Sequence, residues 1–173
     1  MVSKVLDNKV LLQIIDKRLI EKSNIFSTSV KVYKKSNKWE ISLQSEKHIS
    51  SKDLDQIQSN FEKLAPNIEI RLSFVVNTTI EQIKNGFDPI WRDLTESLKN
   101  NMPAAYALIN LCEYELDIKD NVLLVQVIHP SSAKILDDKS IITFMEKWLK
   151  ERYKHPIIVK FQKDKTDSLE SGK

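Results

Sequence analysis

The side chains that could support metal binding or nucleophilic catalysis are few and scattered in this sequence of 173 residues. It contains three histidines, His48, His129 and His155, and one cysteine, Cys112. The histidines show neither an HExxH motif nor the i,i+4 spacing with which two imidazoles on one helix bind a metal. A single cysteine excludes an intramolecular disulfide and a cysteine-based zinc cluster. The sequence therefore predicts no catalytic residues, no metal site and no cofactor.

The group of carboxylates that most resembles a metal cluster is formed by Glu113, Glu115 and Asp117. These residues alternate with apolar side chains that include Cys112 and Leu116. Such alternation is typical of an antiparallel strand with one solvated and one buried face. We therefore interpret the carboxylates as the solvated face of a strand, and Cys112 as a core thiol.

Glycine is scarce, and its scarcity excludes several nucleotide-binding motifs. The chain has only Gly86 and Gly172, whereas average usage is about 7%. Phosphate-binding loops need glycine for positive φ angles and for close backbone approach to the phosphate. A P-loop, a Rossmann fingerprint and a GxSxG elbow are therefore excluded, and we predict no small-molecule substrate.

The basic charge of the chain is concentrated in its first half. The net charge is +3 overall, and residues 1–75 carry 13 Lys and Arg against 9 Asp and Glu. Four lysines and a tyrosine of this half cluster around one predicted turn: Lys31, Tyr33, Lys34, Lys35 and Lys38. Basic residues beside aromatic ones can contact phosphates and stack on a base, so this cluster is the candidate nucleic-acid site. The alternative is an ordinary solvated turn, with Trp39 in the core beside Ile41 and Leu43.

Hydrophobic periodicity places that turn within an α-β-β-α-β module over residues 1–77. Residues 6–20 have the apolar spacing of one amphipathic helix. Two alternating segments on either side of residues 34–38 predict an antiparallel hairpin, with Phe26 on the same face as the apolar residues that follow it. A helix capped by Ser50 or Ser51 and a third strand at residues 68–74 complete the module.

A second module of similar order follows a connector. The capping-box spacing of Thr78 and Glu81 predicts a short connector helix within residues 78–88, which Gly86 would end as a C′ glycine. Residues 89–162 show the order α-β-β-α-α-β, which is close to a copy of the first module with one short helix added, and residues 163–173 predict a disordered tail. Corresponding strands lie roughly 85–90 residues apart, which indicates a structural duplication. The sequence thus predicts an α+β fold of two small modules.

The sequence also predicts a cytoplasmic location without membrane association. No stretch approaches eighteen consecutive apolar residues, and the first residues lack the charged and apolar regions of a signal peptide. The single cysteine is typical of a protein from a reducing compartment.

The order of elements in the second module is that of type II (prokaryotic-type) KH domains. Those domains bind single-stranded nucleic acid through a GxxG loop between their two central helices. The corresponding positions here are Asp137, Asp138, Lys139 and Ser140. Both glycines are missing, and two carboxylates stand where a phosphate would bind. We therefore expect a KH-like frame without its usual nucleic-acid site.

Several segments, in their order along the chain, resemble the N-terminal region of PolC-type DNA polymerase III, the replicative polymerase of low-GC Gram-positive bacteria. The first runs over residues 24–75 and contains VKVYKKSNKWEISLQ, LDQIQSNFEKL and IEIRLSF. The family pattern Lys-x-Trp-x-x-x-Leu is met in part: Trp39 and Leu43 have its spacing, and the lysine, Lys38, lies directly before the tryptophan. The segment FDPIW at residues 87–91 resembles the start of the family's second N-terminal domain. The resemblance extends from about residue 10 to residue 162.

The resemblance implies a non-catalytic part of a longer polymerase. In that family the first N-terminal domain is similar to the polymerase-binding domain of the clamp-loader tau subunit, a truncated KH-like fold, and the second is KH-like. The full-length protein is a DNA-directed DNA polymerase, a nucleotidyltransferase with a 3′–5′ exonuclease, whose catalytic carboxylates would lie outside this chain.

The implied function is protein–protein interaction in the replisome during DNA replication. The implied partners are the clamp-loader tau subunit, single-strand-binding protein or primase-side components. The alternative function is a single-stranded DNA- or RNA-binding module that uses the lysine-rich hairpin.

Overall fold

The computed structural model describes residues 2–4, 6–117, 119–127 and 138–163. The chain divides into two compact units, Met1–Thr78 with Arg152–Lys154 and Thr79–Glu151 with His155–Lys173. Each unit combines helices with its own mixed sheet, which confirms the predicted α+β fold of two modules. The domain limits given above stay predictions. Among the described residues, no helix has the length and apolarity needed to cross a membrane.

The first unit is built on a four-stranded sheet of order β1-β2-β3-β4. Strands β1, β2 and β3 pair antiparallel, and β3 and β4 pair parallel. The helix α3 therefore connects two parallel neighbours, as in a βαβ unit. In chain order the elements are β1 (Val2–Lys4), α1 (Asn8–Ile14), α2 (Lys17–Ser23), β2 (Phe26–Tyr33), β3 (Lys38–Ser45), α3 (Ser51–Leu64) and β4 (Glu69–Val76).

The first helical segment is broken into α1 and α2, so the prediction of a single helix over residues 6–20 is wrong. Ile15 has extended backbone angles, and Asp16 is the N-cap of α2, with its carboxylate accepting a hydrogen bond from the Arg18 backbone N–H at 2.7 Å. Asp7 caps α1 in the same way. Two aspartate caps nine positions apart start two short helices, although Leu11 and Ile15 remain buried.

A β-bulge between Ser27 and Ser29 interrupts the predicted alternation of β2. Before the bulge Ser27 is opposite buried Leu43, and after it the core face continues with Val30. Ser27 therefore takes the core position, and its hydroxyl accepts a hydrogen bond from the Leu6 backbone N–H at 3.3 Å. Phe26 precedes Ser27 and is paired with Gln44, so its side chain lies on the face opposite the core. The predicted place of Phe26 on the core face is therefore wrong.

The core of the first unit lies between the helices and one face of the sheet. The N-terminus of α3 is fixed by Ser50, whose hydroxyl accepts from the Asp53 backbone N–H at 3.1 Å, as predicted. Trp39 and Leu72 pack against the core from the sheet. The buried residues of this core are Leu11, Ile14, Ile15, Ile25, Val30, Ile41, Leu43, Ile49, Ile57, Phe61 and Ile70.

The second unit repeats this sheet topology with three strands of order β5-β6-β7. Strands β5 and β6 pair antiparallel, and β6 and β7 pair parallel. The helix predicted around residues 133–136 and the tail residues 164–173 lie outside the described residues. The described elements are α4 (Ile80–Asn85), α5 (Phe87–Asn101), α6 (Pro103–Ile109), β5 (Glu113–Asp117), β6 (Val122–Val127), α7 (Lys139–Tyr153) and β7 (Ile158–Lys163).

The connector helix α4 begins with a capping box, one residue later than the predicted pair of Thr78 and Glu81. The Thr79 backbone N–H donates to Gln82 Oε1 at 2.8 Å, and the Gln82 backbone N–H donates to Thr79 Oγ1 at 3.2 Å. Gly86 ends the helix with φ −120° and ψ 30°, which is not the left-handed conformation that a C′ glycine supplies. Gly86 therefore ends α4 as predicted, although not in the conformation typical of a C′ glycine.

Asparagine, not glycine, occupies three of the four positions with left-handed backbone in the described part of the chain, and Lys154, with a φ of 55°, occupies the fourth. Asn24, Asn37 and Asn121 have φ angles of 49°, 46° and 52°. Asparagine tolerates this region because its short polar side chain can hydrogen-bond locally. This substitution explains how a chain with two glycines forms tight turns.

Candidate interaction surfaces

The lysine-rich hairpin places its candidate residues on one side of the first sheet. A 3₁₀ turn at Lys34–Ser36 and Asn37 join β2 to β3. Lys34 and Lys35 are exposed on this turn. Lys31 is paired with Glu40, and Tyr33 with Lys38, so the four side chains share the face opposite the core. Trp39 lies on the other face and packs against the core.

Glu40 organises this face, although the sequence analysis did not single it out. Tyr33 Oη donates to Glu40 Oε2 at 3.0 Å, and Lys38 Nζ lies 2.8 Å from Glu40 Oε1. The hydrogen bond from Lys38 lowers the pKa of Glu40, with a further contribution from Tyr33. The same Tyr33–Glu40 hydrogen bond raises the pKa of Tyr33. The charge of Lys38 is thus compensated locally, which leaves Lys34 and Lys35 as the most available cations.

The rest of the outer sheet face continues with polar side chains. Ser42 and Ser73 are paired, and Ser73 Oγ donates to Ser42 Oγ at 3.0 Å. Arg71 Nε lies 2.8 Å from Glu69 Oε1. This face therefore offers short polar groups and self-paired charges to a ligand, with the cationic turn at one end.

The second hairpin presents carboxylates at the comparable positions. Glu113 and Glu115 are exposed, whereas Leu116 is buried, so the alternation of a solvated strand face is present in β5. The Asp117 carboxylate accepts a hydrogen bond from the Lys119 backbone N–H at 2.7 Å. In the part of the chain that the structure describes, no three His, Cys, Asp or Glu side chains converge as a metal site.

Cys112 lies immediately before β5 and not within the strand. It is half-buried, and its Sγ donates to the Leu108 carbonyl oxygen at 3.3 Å. Burial raises the pKa of the thiol, which lowers the fraction of reactive thiolate at neutral pH. The thiol is thus hydrogen-bonded to the last turn of α6, where it acts as a packing group. Its predicted place on the apolar face of the strand is wrong, because β5 begins one residue later.

An aromatic cluster holds the start of α5 against β5. Tyr114 lies over Trp91 with ring centroids 4.7 Å apart, and its centroid is 5.2 Å from that of Phe87. Tyr114 Oη also donates to the Asp88 carboxylate. Burial, followed by this hydrogen bond, raises the pKa of Tyr114 to about 12. Phe87 and Trp91 are buried, so the segment FDPIW acts here as a packing element.

The predicted counterpart of the KH domain's GxxG loop, residues 137–140, extends into the start of α7, and this correspondence stays a prediction. Asp137 lies outside the described residues. The Asp138 carboxylate accepts a hydrogen bond from the Ser140 backbone N–H at 2.8 Å, which lowers the pKa of Asp138. Asp138 thus places a negative charge where a phosphate would approach the helix.

A groove of about 350 Å³ lies between α2 and α3 of the first unit. Its floor is apolar and consists of Ile15, Leu19 and Ile57. Arg18 and Lys22 of α2 line one side, and Gln56 and Asn60 of α3 line the other. Sequence analysis missed this groove because its two walls come from segments about 35 residues apart; the only local signal is the i,i+4 spacing of the two cations.

Comparison with known proteins finds a family match for the segment that contains this groove. Residues 13–74 match the family model described as DNA polymerase III polC-type N-terminus I. A search of curated proteins found no match. The matched segment includes the lysine-rich hairpin and every residue of the groove. The resemblance is therefore confirmed for residues 13–74, and the resemblance of the second unit to the family's second N-terminal domain stays a prediction.

Proposed function

We propose that this chain is a non-catalytic interaction region of a PolC-type replicative DNA polymerase. It acts in DNA replication, in the cytoplasm, by binding other replisome proteins. The observation that carries the proposal is the match of residues 13–74 to the PolC-type N-terminus I family. This match supports a place in DNA replication, and the surfaces of the first unit support the binding role.

The chemistry of the described side chains favours binding over catalysis. Enzymes that transfer phosphoryl groups use acidic residues to hold metal ions at the reacting phosphate. Within residues 2–4, 6–117, 119–127 and 138–163, such a cluster is not found. The acidic strand face of β5 is instead spread along one side of a sheet. We therefore assign polymerisation and proofreading to other parts of such a polymerase.

The partners that fit this role are the clamp-loader tau subunit, single-strand-binding protein and primase-side components. An affinity capture tests the proposal: the chain is immobilised, incubated with a nuclease-treated extract of replicating bacteria, and the bound proteins are quantified by mass spectrometry. We expect enrichment of at least one of these replication proteins over a resin that carries an unrelated protein of equal net charge. Equal recovery on both resins would contradict the proposal.

A second candidate function is binding of single-stranded DNA or RNA by the lysine-rich hairpin. The observation that favours it is the exposure of Lys34 and Lys35 at the turn, beside Lys31 on the same sheet face. Phosphate contacts release counterions, so affinity should fall steeply with salt, with a log–log slope of about 0.7 per contact for single strands.

Fluorescence anisotropy with a labelled oligothymidine tests this second function. The double substitution Lys34→Glu/Lys35→Glu should reduce the magnitude of the salt slope by about 1.4 for the two lost contacts. The matched control Lys119→Glu/Lys160→Glu changes the net charge equally at exposed positions of the second unit, and it should leave the slope unchanged. An unaltered slope in the double variant would remove the hairpin as the binding site.

A further inference from the structure

We propose that the groove between α2 and α3 binds an acidic peptide segment of a partner protein. One large apolar side chain of the peptide occupies the floor, and its carboxylates lie along the wall formed by Arg18 and Lys22. The inference rests on the proposed function, for which it names the binding surface and the chemistry of the partner.

The floor of the groove supplies an apolar contact that is already part of a rigid core. Ile15 and Ile57 are each only 2% exposed, and Leu19 packs partly against the same core. Clefts that hold small ligands measure about 300–1,000 Å³, so a volume of about 350 Å³ is at the lower end. It suits one or two side chains of an extended or helical peptide rather than a large cofactor.

The cationic wall is available to an incoming anion. Arg18 and Lys22 are four positions apart on α2, so they lie on the same face of the helix, and both are exposed. Neither has an ion pair within the described residues. On the adjacent face, Lys17 and Glu21 pair with each other at 3.5 Å. Helix α2 thus has one face on which Lys17 and Glu21 pair with each other, and another face with two unpaired cations.

The two carboxylates that also line the groove are already engaged at helix N-termini. Asp16 Oδ1 accepts from the Arg18 backbone N–H at 2.7 Å, and Asp53 Oδ2 accepts from Ser50 Oγ at 2.7 Å. The positive end of a helix dipole offsets a carboxylate in its first turn. Both carboxylates keep their negative charge but already accept hydrogen bonds from the chain itself, whereas Arg18 and Lys22 have no ion partner among the described residues and stay available to the carboxylates of a ligand.

Two amide side chains on the wall opposite the cations, Gln56 and Asn60, are held in place by hydrogen bonds. Gln56 Nε2 donates to Asn60 Oδ1 at 2.9 Å, and Asn60 Nδ2 donates to the Ile14 carbonyl oxygen at 2.8 Å. These bonds connect α3 to the end of α1, so the groove loses little conformational entropy when it binds a ligand. Amide side chains can both donate to and accept from a peptide backbone.

The probe is a fluorescein-labelled peptide of ten residues that combines aspartates with one leucine and one phenylalanine, measured by anisotropy with the full chain. Two control peptides replace either the aspartates by lysine or the two apolar residues by serine. We expect saturable binding of the acidic apolar peptide, and binding at least about tenfold weaker for each control. Equal binding of either control would overturn the proposal, as would no binding of the acidic peptide.

Substitutions in the chain locate the peptide. Arg18→Glu/Lys22→Glu should weaken peptide binding by at least about tenfold, with an unchanged circular dichroism spectrum because both side chains are exposed. The matched control Lys52→Glu/Lys63→Glu changes the net charge equally, on exposed positions of α3 that do not line the groove. It should bind the peptide within about twofold of the unsubstituted chain. Equal loss in both variants would overturn the proposal.

A capture with purified replication proteins separates failure of the groove from failure of the proposed function. If the unsubstituted chain captures one of them and Arg18→Glu/Lys22→Glu does not, the groove is supported as the docking site. If both chains capture it equally, the groove is wrong and the proposed function stands. If the unsubstituted chain captures none of them, the proposed function itself fails.

Discussion

The hairpins β2–β3 and β5–β6 share one backbone frame in the two units. The turn of the first hairpin spans residues 34–37 and the described part of the second turn spans residues 119–121, and each ends in an asparagine with positive φ. The Asn37 carbonyl accepts from the Glu69 backbone N–H at 2.8 Å, and the Asn121 carbonyl accepts from the Ile158 backbone N–H at 3.0 Å. Each carbonyl thereby fixes the start of the strand that pairs parallel with its hairpin, β4 in the first unit and β7 in the second.

The side chains on this common frame differ in charge. Matching the two turns residue by residue places Lys31 at the position of Glu115, and Tyr33 at the position of Asp117. The outer face of the first hairpin is therefore basic, and that of the second is acidic. The comparison teaches that the frame sets the geometry while the outward residues set what each unit can bind, because outward residues contribute little to the core.

The largest effect should come from the central strands, where the two units are alike. Ile41 in β3 and Leu123 in β6 are 1% and 0% exposed. Ile41→Ala and Leu123→Ala should each lower the free energy of unfolding by about 3 kcal/mol, because each removes buried methyl groups and leaves a cavity. Urea denaturation measures the loss. Hydrogen exchange should accelerate mainly in β2–β4 for the first variant and in β5–β7 for the second, and the reverse pattern would break the comparison.

The shared asparagines should give the next largest effect. Asn37→Val and Asn121→Val each force a β-branched residue into left-handed backbone, which costs about 1–2 kcal/mol. Asn→Gly at the same positions removes that strain and is the matched control. Urea denaturation of all four variants is the measurement. If a valine variant were as stable as its glycine counterpart, the left-handed conformation of the asparagine would not be required for stability in both hairpins.

Much of this frame could be predicted from the sequence because its signals are local. Alternation predicted both hairpins, Ser50 marked the start of α3, and the capping-box spacing placed the start of α4 within one residue. The break at Asp16 was missed because apolar spacing continues through it. The bulge at Ser27 was missed because an extra residue in one strand becomes visible only when its pairing with the neighbouring strand is known.

The candidate sites show the same division between local and tertiary signals. The lysines of the hairpin are adjacent in sequence, so their clustering was predictable. The compensation of Lys38 by Glu40 depends on the fold of the hairpin, and the α2–α3 groove depends on packing of helices that are distant in sequence. Charge runs identify a surface, whereas the contacts that neutralise or shape it come from the fold.

A smaller effect, on stability at high pH, should distinguish the second unit from the first. The pKa of Tyr114 is raised from 10.0 to about 12, first by burial and then by the hydrogen bond to Asp88. Because the folded pKa lies above the unfolded one, the stabilisation from neutral Tyr114 is complete below pH 10 and is lost as the pH rises towards 12. Tyrosinate absorbance and urea denaturation at several pH values measure this loss. Tyr114→Phe should remove that part of the pH dependence, and an unchanged profile would contradict the assignment.

The smallest effect should appear at the charge difference between the hairpins. Glu40→Gln removes the carboxylate that compensates Lys38, so affinity of the chain for oligothymidine should rise by roughly threefold. Glu115→Gln, on the outer face of the second hairpin, removes the same charge and is the control. Anisotropy titration at low salt compares the two. An equal rise in both variants would mean that net charge, not the first hairpin, decides binding.

The central claim is that the chain binds replisome proteins through its first unit. Its most direct test is isothermal titration calorimetry of the full chain with purified clamp-loader tau subunit, single-strand-binding protein and primase, each without nucleic acid. We expect at least one saturable interaction with a Kd of about 10 μM or tighter, weakened by substitution in residues 13–74. Absence of heat with all three proteins at concentrations well above that value would contradict the claim.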